Sequence, residues 1–149
     1  MKTKIVRNFI DKSFGFPVLL HNVKLIQYHD DWIIDVHPGN LSRAVLMALV
    51  FKPARLTGAE IRFIRQHFEM TMAQFAKRFY VTHPAVVKWE KRRKTRTDMN
   101  WSTEKDIRLF ILTQLEKTGD KLRIAYIELE KVASEKNAPI EIRADALAA

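Results

Sequence analysis

The stretch VTHPAVVKWEKRRKTR, Val81–Arg96, decides how this chain is read. Thr82 is a residue type that caps helix N-termini, and Pro84 falls in the first turn, where a missing N–H matters little. The spacing predicts a helix over His83–Lys91. Val86 and Trp89, three apart, share one face and are expected to pack inward against Phe75, Ala76 and Val81. His83, Pro84, Val87 and Lys88 are left facing outward. Between Lys88 and Arg96 stand six Lys or Arg residues and one acid, Glu90. A run that basic repels itself unless an anionic partner lies against it, and a polyanion is the expected one.

Upstream, the text supplies the elements that would hold such a helix. In LTGAEIRFIRQHF, Thr57 and Glu60 have the spacing of a capping box, with Leu56 and Ile61 placed for the hydrophobic staple. Ile61, Ile64 and Phe68 mark the buried side of that helix. A second box, Thr71 with Gln74, opens TMAQFAKRF. Three short helices joined by brief turns form the helix-turn-helix pattern. In that pattern the last helix lies in the major groove of DNA. His83, Pro84, Val87 and Lys88 then read bases: Lys donates to guanine, His to a purine edge, and Pro and Val touch a thymine methyl. Thr71, Gln74, Thr82, Lys91, Arg92, Arg93, Lys94 and Arg96 are the phosphate-binding candidates, which set register and salt dependence rather than sequence preference.

Around this centre the periodicities are simpler. Residues 1–15 are mixed and read as irregular. VLLHNVKLIQY and WIIDV flank a polar HDD corner and predict a small hairpin. Asn40 is the expected N-cap of a helix Leu41–Phe51 with a stripe of Leu41, Ala44, Val45, Ala48 and Leu49, stopped before Pro53. Ser102 or Thr103 is the expected cap of a helix carrying Ile107, Phe110, Ile111 and Leu115, broken at Gly119. Residues 120–136 show a further amphipathic stripe (Leu122, Tyr126, Leu129, Val132, Ala133), and IEIR after Pro139 is a short strand at most. The expected fold class is mainly α: a Cro/CI-like helix-turn-helix bundle with a small N-terminal β-hairpin plus helix and a C-terminal amphipathic helix. The expected domains are an N-terminal extension over 1–54, a DNA-binding domain over 55–117, and a C-terminal helix and tail over 118–149 as a candidate dimerisation element.

The composition agrees with a nucleic-acid partner, the net charge being +9 and the pI about 9.9. The chain has no cysteine, which removes disulfides, thiolate zinc sites and cysteine nucleophiles. His21, His29, Asp30, Asp31, Asp35 and His37 crowd the hairpin but lack a ligand spacing, and they read as a solvated corner rather than a metal site. Ser13, Ser42, Ser102 and Ser134 have no catalytic context, and no glycine-rich phosphate loop is present. The expectation is therefore a non-enzyme without cofactor or metal. No signal peptide or membrane-spanning run is legible, the longest apolar stretch being Ala44–Phe51, so a bacterial cytoplasmic, nucleoid-associated protein is expected.

MTMAQFAKRFYVTHPAVVKWEK resembles the Cro/CI-type (XRE) helix-turn-helix family, with Ala76, Val81, Thr82, Val86, Trp89 and Glu90 at the characteristic places. The upstream phrase KPARLTGAEIRFIRQ resembles the segment that introduces this module in antitoxins of the MqsA and HigA kind. The resemblance spans about residues 18–115. It implies a dimeric antitoxin that binds a palindromic operator in double-stranded DNA, represses its own operon and neutralises a cognate toxin. It places base reading on His83, Pro84 and Lys88, the cap contact to phosphate on Thr82, and further phosphate contacts on Lys91 to Lys94. Three features depart from the family. The zinc-binding Cys pairs are absent, Met72 stands where a phosphate-clamping Gln is frequent, and Tyr80 stands where the turn usually has Gly. A repressor from a phage or mobile element without a toxin, and a toxin-binding module that does not touch DNA, are the alternatives.

Overall fold

The computed structural model describes residues 2–115, 124–125, 127–129 and 137–147. The chain gathers into two compact units, residues 1–48 with 139–149, and residues 49–138.

The first unit is built on a four-stranded mixed sheet. Strands β1 (Thr3–Asp11), β2 (Val18–Tyr28) and β3 (Asp31–Ile34) are successive antiparallel neighbours, and a late strand β4 (Ile140–Arg143) joins β2 in parallel. The long β2 is central, flanked by β1 on one side and by β3 and β4 on the other. Ile140 and Ile142 are buried opposite the fully buried Val18 and Leu20. Each contributes roughly 1.5–3 kcal/mol of apolar burial, which anchors the tail. Helix α1 (Pro38–Val50) follows the sheet and buries Leu41, Val45 and Leu46 within this unit.

The sheet overturns the mainly α expectation: this is an α/β chain, not a Cro/CI-like bundle with a small hairpin attached. The segment read as irregular is the nine-residue β1. Its disguise has a physical cause. The apolar residues Ile5, Val6, Phe9 and Ile10 show no period of two, because the strand changes face midway. In β2 the buried positions are Val18 and Leu20, then Val23 and Leu25, so parity switches at Asn22, whose φ is +56°. Pairing with β1 keeps its register on both sides, Asn8 opposite His21 and Val6 opposite Val23, so the two strands turn over together. The hairpin corner itself is as expected, Tyr28 and Asp31 closing it. Asn40 is not the cap of α1. Gly39 and Asn40 both donate their N–H groups to the ring Nδ1 of His37, at 3.2 and 3.4 Å, so an imidazole takes the capping role.

The second unit holds α2 (Gly58–His67), α3 (Met72–Arg78), α4 (His83–Lys91) and α5 (Trp101–Leu115). Both capping boxes form: Thr57 with Glu60, and Thr71 with Gln74. Helix α5 starts two or three residues earlier than its hydroxyl residues suggest. The N–H groups of Thr103 and Glu104 both donate to the Asn100 carbonyl, leaving Ser102 and Thr103 inside the first turn. The stripe expected over 120–136 lies largely outside the described residues; Leu129 is described, and it is buried. Phe75, Phe79, Phe68 and Phe110 stack with centroid separations of 4.7 to 5.5 Å, joining α2, α3 and α5 through one aromatic cluster.

Helices α2 and α3 end alike, each on a non-glycine residue in the left-handed region: Glu69 at φ +55° and Tyr80 at φ +58°. Around them the N–H of Met70 reaches Arg65 O and that of Val81 reaches Ala76 O, the long bond of a Schellman closure. Tyr80 is 92% exposed, so its ring contributes almost no packing to offset that conformation. Tyr80→Gly is expected to raise the unfolding free energy by about 1 kcal/mol by removing the Cβ penalty. Urea titration of the two proteins side by side checks this, and an unchanged or lower midpoint contradicts it.

Candidate nucleic-acid interface

Helix α4 begins where sequence chemistry places it. The Thr82 Oγ1 accepts the Ala85 N–H at 3.2 Å, and Pro84 sits in the first turn, where its missing donor leaves no bond unmade. Val86 is wholly buried and Trp89 nearly so, which fixes the rotation of the helix about its axis. That rotation leaves His83, Pro84 and Lys88 exposed and Val87 half-buried. Together with Lys91 they line one open concavity of about 500 Å³. All four predicted base-reading residues therefore share one surface, and Lys91 joins them rather than standing apart with the phosphate set.

The backbone of the basic run is fixed from α2. The N–H of Gly58 donates to Thr95 O at 3.2 Å and that of Ala59 to Arg93 O at 2.9 Å, while Thr97 donates to Leu56 O at 3.2 Å. The first two bonds satisfy donors that the N-terminus of α2 otherwise leaves open, and in doing so they tie the segment after α4 to the start of α2. Gly58 makes that approach possible. A Cβ built there would lie 2.2 Å from the Trp89 carbonyl oxygen and 2.7 Å from the Arg93 nitrogen. A second tie runs through side chains. Arg65 on α2 donates two hydrogen bonds to the Glu90 carboxylate, from Nε at 2.6 Å and from a terminal nitrogen at 3.0 Å, and a third to Met70 O. Such a two-pronged pair fixes direction as well as distance.

With its backbone held, the run presents its side chains outward. Lys91, Arg92, Arg93, Lys94 and Arg96 are all exposed. Arg92 and Arg96 share the Asp98 carboxylate, at 3.6 and 3.4 Å, so part of their charge is matched within the chain. No such acid partner stands beside Lys91, Arg93 or Lys94 among the described residues, and these three are the freer cations. Thr71 and Gln74 are exposed and satisfy each other: Gln74 N donates to Thr71 Oγ1, and Thr71 N to Gln74 Oε1. The Thr71 hydroxyl proton and the Gln74 amide nitrogen remain as donors for an anion.

Beneath these helices lies a charged cluster that the spacing of the sequence did not reveal. Arg108 on α5 is completely buried and donates to the carbonyls of Val50, Lys52 and Ala54 and to the Glu104 carboxylate. Glu104, also completely buried, accepts in addition from Arg55 Nε at 2.9 Å and from the Leu56 N–H at 3.1 Å. Lys52 donates to both oxygens of Glu60 at 2.8 Å, and the same carboxylate closes the Thr57 capping box. Burial pulls the Arg108 pKa below its ordinary value, and the adjoining Glu104 carboxylate pulls it back up. The phrase KPARLTGAE is thus a structural hub: each of Lys52, Arg55, Thr57, Gly58 and Glu60 supplies a contact that holds α2 in place. A signal for Arg108 did exist. Glu104 and Arg108 share a helix face with Ile107 and Ile111, so both charges lie on the apolar stripe and could not be solvated there.

Among the described residues no group of three His, Cys, Asp or Glu side chains is placed to hold a metal ion, and no helix is long and apolar enough to cross a membrane. Comparison of the chain with protein-family models, with curated proteins and with solved structures gave no match.

Proposed function

We propose that this chain is a sequence-specific DNA-binding transcriptional repressor, the antitoxin of a type II toxin–antitoxin pair that represses its own operon. The observation that carries the reading is the joint placement of His83, Pro84, Val87 and Lys88 on one exposed concave surface of a rotationally fixed helix. Beside it the backbone of a cationic run is locked by hydrogen bonds to α2. A surface of that kind has hydrogen-bond donors and apolar groups for base edges, followed by lysine and arginine for phosphates. Two copies on a palindrome would set their α4 helices in successive major grooves about 34 Å apart. The antitoxin assignment rests on the family resemblance of the KPARLTGAE phrase and the segment that follows it.

The experiment is a footprint of the purified protein on the promoter of its own gene, repeated with the product of the neighbouring gene added. Two variants separate reading from anchoring. Lys88→Ala is expected to weaken the operator by about 1–3 kcal/mol and to relax discrimination at one or two base pairs. Lys94→Ala is expected to weaken all sequences alike and to reduce the slope of log affinity against log salt by about one unit. Gel-shift titrations at several salt concentrations measure both. Indistinguishable behaviour of the two variants would overturn the division of roles, and an absent footprint would leave the helical unit as a protein-binding module.

A further inference from the structure

Strand β1 lies at the edge of its sheet: among the described residues it pairs with β2 alone. Its side chains are mostly exposed, including two large apolar ones, Ile5 at 73% and Ile10 at 46%. A long edge strand of that kind is a template for another strand, and proteins ordinarily guard it with charge. Lys4 and Arg7 are such guards when β1 is taken alone. The face reversal midway along the strand changes what they can do.

We propose that a second copy of this chain pairs with it antiparallel through β1, Lys4 facing Asp11, Ile5 facing Ile10, Val6 facing Phe9 and Arg7 facing Asn8 of the other copy. Residues directly opposite in a sheet share a face. In a regular strand, therefore, a residue never faces one an odd number of positions away in a two-fold self-pairing, because the two point to opposite faces. Here the reversal lies between Val6 and Asn8 and removes that restriction. Val6 and Phe9 both lie on the face of the buried Val23 and Leu20, whereas Ile5, Asn8 and Ile10 lie on the other. The proposed register puts Lys4 with Asp11, Ile5 with Ile10 and Val6 with Phe9 each on one face, and Arg7 meets Asn8 at the reversal itself. It also sets each charged residue against an opposite or neutral partner and each apolar residue against an apolar one. Self-pairing centred on Arg7 sets two guanidinium groups against each other and Ile5 against Phe9, which face opposite sides. A shift of the axis by one residue in either direction from the proposed one sets Lys4 against Phe9 or Val6 against Asp11. The ends of the strand are prepared for the ion pairs. The Lys4 ammonium lies 4.2 Å over the Trp32 ring, and among the described residues the Asp11 carboxylate accepts from Ser13 and meets no cation. The inference does not depend on DNA binding.

Because the chain contains no cysteine, introduced thiols report unambiguously. Ile5→Cys and Ile10→Cys proteins, mixed and treated with a short bis-maleimide, are expected to yield a covalent dimer that neither forms alone. Sedimentation of the full chain gives the second readout. Lys4→Glu is expected to weaken self-association about tenfold, since two attractive pairs become repulsive, and adding Asp11→Lys is expected to restore it. Circular dichroism confirms that each variant is folded. A chain that stays monomeric, a dimer insensitive to Lys4→Glu, or equal cross-linking of either cysteine variant by itself overturns the proposal. The first of these outcomes would leave the edge to a strand of a different protein.

Discussion

Gly58→Ala is expected to lower the unfolding free energy by about 3–5 kcal/mol and, with it, any affinity that depends on the position of α4. The added methyl would sit 2.2 Å from the Trp89 carbonyl oxygen and 2.7 Å from the Arg93 nitrogen. Both are backbone atoms at the end of α4, so no rotamer change relieves the clash. The helices must separate, at roughly 1–3 kcal/mol for the overpacking alone. Separation also weakens the bonds from Gly58 to Thr95 and from Ala59 to Arg93, each worth about 1 kcal/mol. Chemical denaturation measures the loss. Gly39→Ala in α1 is the milder comparison, since its built Cβ meets the His37 ring, a side chain that can turn aside at the cost of the cap it provides, about 1 kcal/mol. A Gly58→Ala protein within 1 kcal/mol of the parent would mean that α2 and α4 slide past each other freely, contrary to the geometry described above.

Arg108→Met carries the second large effect, a loss of about 3–5 kcal/mol. The methionine fills much of the same volume, so the effect is electrostatic. Glu104 stays fully buried and loses the guanidinium nearest to it, while the carbonyls of Val50, Lys52 and Ala54 lose their donor. Glu104→Gln in the same protein is expected to recover part of the loss, because a neutral amide is far less expensive to bury than a carboxylate that has lost Arg108 and keeps the partly exposed Arg55. The four proteins of this cycle give a coupling energy expected to exceed 1.5 kcal/mol. Strict additivity would show that the two side chains act independently and that their close contact contributes nothing.

How much of this was legible in the sequence depended on the range of the interactions. Caps are local: a hydroxyl and the amide three residues on meet within one turn of chain, so Thr57, Thr71 and Thr82 announced their helices correctly. The same locality misplaced α1 and α5: α1 starts at a histidine ring, and α5 starts after Asn100, ahead of the hydroxyl residues Ser102 and Thr103. The inward turn of Val86 and Trp89 was readable because two large apolar groups three apart can satisfy only one face. Strand β1 was not readable. Its apolar pairs Ile5–Val6 and Phe9–Ile10 follow neither period, since a left-handed residue in its neighbour β2 reverses the face of both strands. Nor could the parallel pairing of β4 with β2 be anticipated, for it joins residues more than a hundred positions apart.

The sequence by itself therefore determined where helices α2 to α4 begin, which side of α4 is buried, and that the following run is cationic. Those properties follow from neighbours along the chain and from burial of apolar groups. Only the tertiary structure decided that the chain is α/β, that Gly58 lets α4 dock on α2, and that the fully buried Arg108 and Glu104 are matched to each other. Each of these is a meeting of distant residues, and a one-dimensional text records the chemistry of such residues without recording which of them meet.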